Sequence, residues 1–149
     1  MSTDRIEREV RIAAPVERVW ALITEAEHLG SWFGDAGAEV DLRPGGALTL
    51  RWAEYGTTRA RVERVEPPRL FSWRWLLDAD GEPTPGNSTL VEFTLREDGG
   101  ETLLKVVESG FDGLDLPEEE RRRRYAGNTD GWRQELDELA GYARQPAAR

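Results

Sequence analysis

Residues 117–143 constrain the fold of this chain more than any other stretch, because they have the pattern of one long amphipathic helix. In a helix, residues three and four positions apart share a face. The face selected by this spacing carries Arg121, Tyr125, Asn128, Trp132, Leu136, Leu139 and Ala143. All but Arg121 and Asn128 suit an apolar core, and a buried polar group without a partner costs about 1–3 kcal/mol. This polar pair therefore predicts a site against the inward face of the helix.

The start of this helix carries several independent signals. Pro117 is predicted in the first turn, with Asp115 as a candidate cap, and three glutamates follow at the positive end of the helix dipole. Each glutamate lies four residues before an arginine, which is the favourable order for an ion pair. The predicted pairs are Glu118–Arg122, Glu119–Arg123 and Glu120–Arg124. A solvated, self-paired surface is therefore favoured over an anion-binding patch at Arg122 and Arg123.

The chain before this helix largely alternates apolar and charged residues, which is the pattern of half-buried strands. Residues 5–13 predict a first strand, and Pro15 and residues 25–33 predict two short helices after it. From residue 37 onwards, turn signals at 43–46, 66–69 and 98–101 separate further strands. The apolar faces of these strands carry Val40 and Leu42; Leu48, Leu50 and Trp52; Ala60 and Val62; Phe71, Trp73 and Trp75; Val91, Phe93 and Leu95; and Leu104 and Val106.

Such alternation predicts an antiparallel sheet with one packed face, which the long helix can cover. We therefore expect an α+β fold with about seven antiparallel strands, two short helices after the first strand and a long C-terminal helix. A length of 149 residues suits one domain. Residues 1–149 are predicted to form it, with loose ends at 1–4 and 145–149. The loop 78–88 is either a binding loop or a mobile hairpin tip.

Composition excludes several classes of site. The chain has no cysteine, which excludes disulfides and thiolate metal sites, and its one histidine, His28, is expected on the surface. A net charge of −9 repels phosphate backbones, so nucleic-acid binding is not expected. No apolar stretch suits a signal peptide or a membrane span, which favours a cytoplasmic protein. We find no activated nucleophile, no phosphate loop and no carboxylates at metal spacing, so neither a metal nor another cofactor is predicted.

Glu108 is the most informative single residue of the predicted strands. The alternation through Leu104 and Val106 places Glu108 on the packed face, where an unpaired carboxylate is rare. One interpretation is an ion pair with Arg121 or Arg124, and it is the favoured one. The other makes Glu108 a ligand anchor, or a general acid or base if burial raises its pKa. We predict that Glu108 and Arg121 lie close enough to interact.

Aromatic residues dominate the predicted packed face. These rings form either a closed core, which is favoured, or the wall of an apolar pocket with a few polar groups. Tyr125 and Asn128 are candidates for neutral hydrogen bonds to a ligand in such a pocket. The candidate ligand-binding residues are Trp32, Phe33, Trp52, Phe71, Trp73, Trp75, Phe93, Glu108, Arg121, Tyr125, Asn128 and Trp132. No catalytic residue is assigned.

Six short motifs occur in a fixed order along the chain. They are Ala14-Pro15-Val16-Glu17-Arg18-Val19-Trp20, Trp32-Phe33-Gly34, Arg43-Pro44-Gly45-Gly46, Pro67-Pro68-Arg69-Leu70-Phe71-Ser72-Trp73, Glu108-Ser109-Gly110-Phe111, and Gly131-Trp132 followed by Leu136 and Leu139. In this order they resemble the START-like superfamily of helix-grip proteins, in the branch similar to the C-terminal domain of the Hsp90 ATPase activator. The resemblance covers residues 5–142. It implies a curved antiparallel sheet wrapped around the long C-terminal helix, with a cavity between them that binds apolar small molecules in many relatives.

Three functions remain open, because superfamily members include lipid carriers, polyketide cyclases and chaperone regulators. The favoured hypothesis is a non-catalytic domain that binds a small apolar or aromatic ligand in its cavity. The second is an enzyme similar to a polyketide cyclase or dehydratase, with Glu108 and either Tyr125 or Asn128 supplying protons. The third is a protein-interaction module of the chaperone-regulator kind. Monomer and homodimer are both left open.

Overall fold

A computed structural model of the chain describes residues 4–54, 56–76 and 82–144. Part of the predicted loop 78–88 and the predicted loose ends 1–3 and 145–149 lie outside the described residues. Asp4, which was predicted within the loose N-terminal end, is instead well attached. Its carbonyl oxygen accepts a hydrogen bond from the Gly110 backbone N–H at 3.1 Å, and its carboxylate accepts one from the Asp112 backbone N–H at 3.1 Å.

The described residues contain one curved antiparallel sheet, as the alternating pattern predicts. Its strands are β1 (Arg5–Ile12), β2 (Ala38–Val40), β3 (Ala47–Trp52), β4 (Gly56–Glu66), β5 (Leu70–Leu76), β6 (Ser88–Asp98) and β7 (Glu101–Ser109). They lie side by side in the order β1-β7-β6-β5-β4-β3-β2. The predicted α+β class and the seven strands are confirmed. Because the helices cover one face of the sheet, the inward side chains of β5, β6 and β7 all lie on the same side as the helices.

The helices occupy the predicted positions. Two helices after β1 are α1 (Val16–Thr24) and α2 (Ala26–His28), and α2 continues into a π-helical turn (Leu29–Phe33). A 3₁₀ turn (Phe111–Gly113) precedes the long helix α3 (Glu118–Ala143). Pro117 lies at the N-cap of α3 rather than in its first turn, and no side chain caps the helix. The expectation of an Asp115 cap is wrong, because the N-cap position is occupied by Pro117, two residues later, and no side-chain oxygen accepts a hydrogen bond from the first turn.

The three predicted ion pairs on α3 are confirmed; Glu118–Arg122 and Glu119–Arg123 are exposed, and Glu120–Arg124 is partly buried. The distances are 2.9 Å for Glu118–Arg122, 3.7 Å for Glu119–Arg123 and 3.3 Å for Glu120–Arg124. The arginines of this run therefore mainly neutralise neighbouring glutamates. Exposed pairs of this kind stabilise a fold only slightly, by about 0–1 kcal/mol each.

Two predictions of burial are wrong, since Leu42 is predicted on the packed face of the sheet and His28 on the surface. Leu42 follows the end of β2 and is 40% exposed, because the strand ends at Val40 before the alternation can bury it. The His28 side chain is only 11% exposed, since it packs edge-on against Tyr142 of α3. The Nδ1 atom of His28 lies 2.8 Å from the Tyr142 hydroxyl oxygen, so this pair joins α2 to the end of α3.

The core is divided along the sheet. Around α1 it is made of aliphatic side chains, and Val19, Leu22 and Ile23 are fully buried. The backbone of α3 approaches β1 and the π-helical turn most closely. From there Trp132 reaches across to Phe93 of β6, with ring centroids 5.8 Å apart. The middle of α3 thus packs on an aromatic layer, where the site candidates lie.

Candidate functional site

The π-helical turn aims two adjacent aromatic rings in different directions. Trp32 enters the core and donates its indole N–H to the Leu22 carbonyl oxygen at 2.7 Å. Phe33 faces the rings of β5 and α3. The turn ends at Gly34, where an added Cβ would lie 2.8 Å from the Arg51 carbonyl oxygen. Because only glycine permits this approach, the turn is held tightly against β3.

Phe33, Trp75 and Trp132 form a staggered aromatic wall. Their planes are within 25° of parallel, and the three centroid distances are 5.4, 5.8 and 5.9 Å. These values indicate offset stacking, which is favoured over direct face-to-face stacking by the ring quadrupoles. Trp52 of β3 meets Phe33 edge-on at 5.5 Å and extends the wall. Each ring comes from a different element, so the wall forms only in the folded chain.

Glu108 lies behind this wall at an inward position of β7 and is fully buried. Four side chains from β5, β6 and α3 donate hydrogen bonds to its carboxylate. The donors are Trp75 Nε1 at 2.9 Å, Thr89 Oγ1 at 2.5 Å, Asn128 Nδ2 at 3.1 Å from both oxygens, and Trp132 Nε1 at 2.9 Å. We call these five residues the carboxylate nest. No cation is among the partners of Glu108 in the described part of the chain.

Burial raises the pKa of the Glu108 carboxyl, because removal from water disfavours the charged form. The donated hydrogen bonds from Thr89, Trp132, Trp75 and Asn128 oppose this rise, since they stabilise the carboxylate. The nest therefore satisfies a buried acid with neutral donors instead of a counter-charge. It also ties the middle of α3 to three strands.

The predicted contact between Glu108 and Arg121 is wrong. The Arg121 guanidinium donates to the Leu116 carbonyl oxygen at 2.6 Å, at the start of α3. Arg121 shares the inward face with Asn128, but seven residues of helix separate them by about 10 Å along the axis. The predicted inward orientation of Glu108 and of this helix face is correct. The predicted position of Arg121 along the helix axis, level with Glu108, is wrong.

An open cleft of about 520 Å³ lies between the aromatic wall and α3. Its lining residues are Phe33, Trp52, Trp75, Gly127, Asn128, Asp130, Gly131, Trp132, Gln134 and Glu135. Gly127 and Gly131 lie one helical turn apart, and an added Cβ at either would meet no atom within 4 Å. The helix therefore carries no side chain at these two positions, where it borders the cleft. Each glycine costs the helix about 1 kcal/mol relative to alanine, so the open space is maintained at the expense of helix stability.

Sequence reasoning missed Glu135, one of the two acidic residues that line the cleft. It follows Asn128 by seven residues and therefore shares its face, which was the available signal. One of its carboxylate oxygens, Oε2, is buried and has no hydrogen-bond partner among the described residues. Burial, followed by the charges of Glu138 and Asp35, raises the pKa of Glu135 to about 8. A carboxyl group with this pKa binds and releases protons near neutral pH.

The structure brings five of the predicted site residues to the cleft: Phe33, Trp52, Trp75, Asn128 and Trp132. Four others, Trp32, Phe71, Trp73 and Phe93, are fully or almost fully buried in the core. Tyr125 lies away from the cleft, because its hydroxyl donates to the Arg5 carbonyl oxygen at 3.0 Å and its ring packs on Phe111. With Glu108 in the nest and Arg121 at the helix start, seven candidates lie outside the cleft lining.

The described residues 4–54, 56–76 and 82–144 contain no group of three histidine, aspartate or glutamate side chains placed to hold a metal ion. Within the same ranges, none of the helices has the length and apolar character that crossing a bilayer requires.

A sequence model of the family described as activator of Hsp90 ATPase homolog 1-like protein matches residues 13–144. The chain belongs to this family. The resemblance carried by the ordered motifs is thereby confirmed, including the helix-grip fold of this activator-like branch. A comparison with curated proteins finds no match.

Solved structures share the fold of this activator-like domain. Protein MLL2253 from Mesorhizobium loti is 25% identical, with a TM-score of 0.77 over 96% of this chain and 99% of that chain. DynU16, a protein of the dynemicin biosynthetic locus, is 25% identical, with a TM-score of 0.73 over 93% of this chain and 46% of that chain. The Aha1 dimer from Colwellia psychrerythraea is 17% identical, with a TM-score of 0.71 over 91% and 92%, and shows the fold alone. Family and fold together support a ligand-binding domain in the general sense.

Proposed function

We propose that this activator-like domain binds a small aromatic or apolar molecule in the cleft beside α3. The observation that carries the proposal is a cleft of about 520 Å³ walled by Phe33, Trp52, Trp75 and Trp132. Small-molecule sites are typically concave, of this size, and mostly apolar with a few polar groups. Asn128 and Glu135 supply such polar groups here.

The two glycines of α3 that line the cleft, Gly127 and Gly131, give independent support. Helix interiors favour alanine over glycine, and nothing in the packing at Gly127 or Gly131 requires the absence of a Cβ. A cleft that a flat ligand enters does require it, because side chains at these positions would project into the space. The glycines thus fit a binding role better than a purely structural one.

Acid–base catalysis of the cyclase or dehydratase kind has less support. Its candidate acid, Glu108, does not line the cleft and engages both oxygens with donors of the nest. Its candidate partner Tyr125 is committed to a backbone carbonyl oxygen 120 residues away in the chain. Neither residue therefore supports the predicted acid–base chemistry, and ligand binding is the function that we propose.

A protein-interaction module would require an exposed docking surface. Among the described residues, Leu42 is the exposed large hydrophobic side chain. A single exposed leucine is ordinary for a protein surface and does not mark an interface. Small-molecule binding is the better-supported proposal.

Intrinsic tryptophan fluorescence tests this proposal, since three of the cleft rings are tryptophans. We expect neutral aromatic probes such as 2-naphthol and 3-tert-butylphenol to quench the emission and raise the melting temperature. Gly131→Leu should weaken binding at least tenfold by filling the cleft. Gly141→Leu is the matched control, because Gly141 lies on the same helix and does not line the cleft. The proposal is wrong if no probe binds, or if both variants bind as the original chain does.

A further inference from the structure

The charged side chains that line the cleft are acidic. Asp130 and Glu135 are the ionisable residues among those that line the cleft. Arg124 lines a separate, smaller pocket that shares Trp52, Trp75 and Asn128 with the cleft. Asp130 already has two partners on α3, since Arg133 donates a hydrogen bond to it and Gln134 donates another at 3.0 Å. Glu135 is therefore the acidic lining residue with an unused hydrogen-bond acceptor.

The cleft tryptophans turn their polar edges away from the open space. The indole N–H groups of Trp75 and Trp132 donate to Glu108, and that of Trp52 donates to the Phe33 carbonyl oxygen at 3.0 Å. The amide N–H groups of Asn128 also point to Glu108. A ligand in the cleft thus meets ring surfaces and few free donors. Anionic ligands need donors or cations, and this lining is poor in both.

Glu135 offers an acceptor and a negative charge, which suit a cationic ligand. Its Oε2 atom is buried without a hydrogen-bond partner among the described residues, although both carboxylate oxygens are strong acceptors. Two further carboxylates act on it, Glu138 from the next turn of α3 and Asp35 from the segment after the π-helical turn. Together they create a negative potential at this end of the cleft. Aromatic faces beside such a potential attract organic cations through the ring quadrupoles.

We propose that the cleft selects organic cations, with the ammonium group of the ligand held against the aromatic wall and beside the Glu135 carboxylate. This inference rests on the proposed function, because it specifies the class of molecule that the same cleft binds. It assigns Glu135 as the specificity-determining residue. Glu108 holds the indole N–H groups of Trp75 and Trp132 from behind the wall and does not itself line the cleft.

Binding of a cation should be coupled to proton release. The raised pKa of Glu135 means that its carboxyl group is largely protonated at pH 7 when the cleft is empty. A cation stabilises the ionised form, so one proton leaves Glu135 for solvent as the cation binds. The affinity for a cation should therefore rise with pH until Glu135 is already ionised in the empty cleft.

The test uses two probes of nearly identical shape. Phenyltrimethylammonium carries a permanent positive charge and no titratable group, and tert-butylbenzene is its neutral counterpart. Affinities are measured by calorimetry and fluorescence on the full chain between pH 6 and pH 9. We expect the cationic probe to bind at least tenfold more tightly at pH 9 than at pH 6. The neutral probe should bind more weakly at pH 9 and show no such rise.

Two variants separate the role of Glu135 from general charge effects. Glu135→Gln should weaken the cationic probe about tenfold at pH 9, remove its pH dependence and leave the neutral probe unaffected. Asp137→Asn is the matched control, since it removes one charge from an exposed position of α3 outside the cleft. This control should leave both probes unchanged.

Each result has a defined meaning. If the neutral probe binds as tightly as the cation at every pH, the charge inference is wrong while the proposed cleft stands. If the pH dependence persists in Glu135→Gln, another group such as Glu108 causes it, and the assignment of Glu135 is wrong. If neither probe binds, the proposed function itself fails, and this inference fails with it.

Discussion

Glu108 accepts a hydrogen bond from Trp132, and Glu135 lines the cleft together with Trp132, but the two acids have different surroundings. Glu108 is fully buried, yet four side chains of the nest satisfy its oxygens. Glu135 is only partly buried, yet its Oε2 atom has no partner among the described residues. Burial alone therefore does not mark a functional acid. The acid with unused hydrogen-bonding capacity at an open space is the better candidate.

The difference extends to the residues around each acid. The nest gathers donors from β5, β6 and α3 and turns the polar edges of Trp75 and Trp132 inward. As a result, the cleft is left with ring surfaces and with Glu135. One buried carboxylate thus determines the chemical character of the neighbouring cleft. If Glu108 is a structural acid and Glu135 a ligand-binding acid, matched changes at the two residues should have different effects.

The largest effect is expected when Glu108 is removed. Glu108→Ala leaves buried donors of the nest without acceptors, which should lower the free energy of unfolding by about 3–5 kcal/mol. Glu135→Ala is the matched change in the other acid and should cost less than about 1 kcal/mol. Urea denaturation of both variants measures the difference. Equal losses in the two variants would remove the distinction between the acids.

A smaller effect should separate two buried tryptophans. Trp132 donates its indole N–H to Glu108, whereas the indole nitrogen of Trp73 is buried and has no hydrogen-bond partner among the described residues. Both replacements by phenylalanine lose similar ring volume, but only one breaks a bond to a carboxylate. Trp132→Phe should therefore cost about 2 kcal/mol more than Trp73→Phe. Thermal and urea unfolding should agree on this order, and a reversed order would contradict the role given to the nest.

The pH dependence of stability should distinguish Glu135 from its glutamine variant. The pKa of Glu135 is raised to about 8 in the folded chain, from an ordinary value near 4.5. The folded state thus binds the proton more tightly, and this contribution to stability is complete below about pH 4.5 and lost as pH rises through 8. Glu108 acts in the same direction because burial also raises its pKa.

Comparison of the original chain with Glu135→Gln isolates the Glu135 contribution. From pH 5.5 to pH 8.5, the original chain should lose roughly 1 kcal/mol more than the variant, after allowance for solvent screening at a partly exposed group. Urea midpoints at the two pH values provide the measurement. Parallel pH profiles would show that Glu135 titrates normally.

The smallest effect concerns the glycines that border the cleft. Gly127→Ala and Gly131→Ala should each stabilise the fold by about 0.5–1 kcal/mol, because alanine favours the helix and the added Cβ meets open space. The same changes should weaken binding of 3-tert-butylphenol. A stabilised variant with unchanged affinity would show that these glycines do not border the bound ligand.

Much of the fold could be predicted from local pattern. The period-two alternation through Leu104 and Val106 correctly turned Glu108 inward, and the 3.6-residue period placed Asn128 and Trp132 opposite it. Local pattern could not name the partners of Glu108, because Trp75 and Thr89 lie on strands distant in sequence. Their proximity depends on strand order and register, which periodicity does not contain.

The missed residues have equally physical explanations. Arg121 was expected beside Glu108 since both face inward, but a shared face does not fix the position along a helix axis. Glu135 was overlooked although it lies two turns beyond Asn128 on the same face. Its charge suggested a solvated position, whereas it lies four residues after Gly131 and lines the same cleft.

The most direct test of this account is a ¹³C NMR titration of the Glu108 and Glu135 side-chain carboxyl groups, with and without phenyltrimethylammonium. The account predicts a pKa near 8 for Glu135 in the free chain, falling by about one pH unit or more when the cation binds. It predicts that the pKa of Glu108 is raised in both states and changes little on binding. A normal, unresponsive Glu135, or a response confined to Glu108, would contradict the division between the structural acid and the ligand-binding acid.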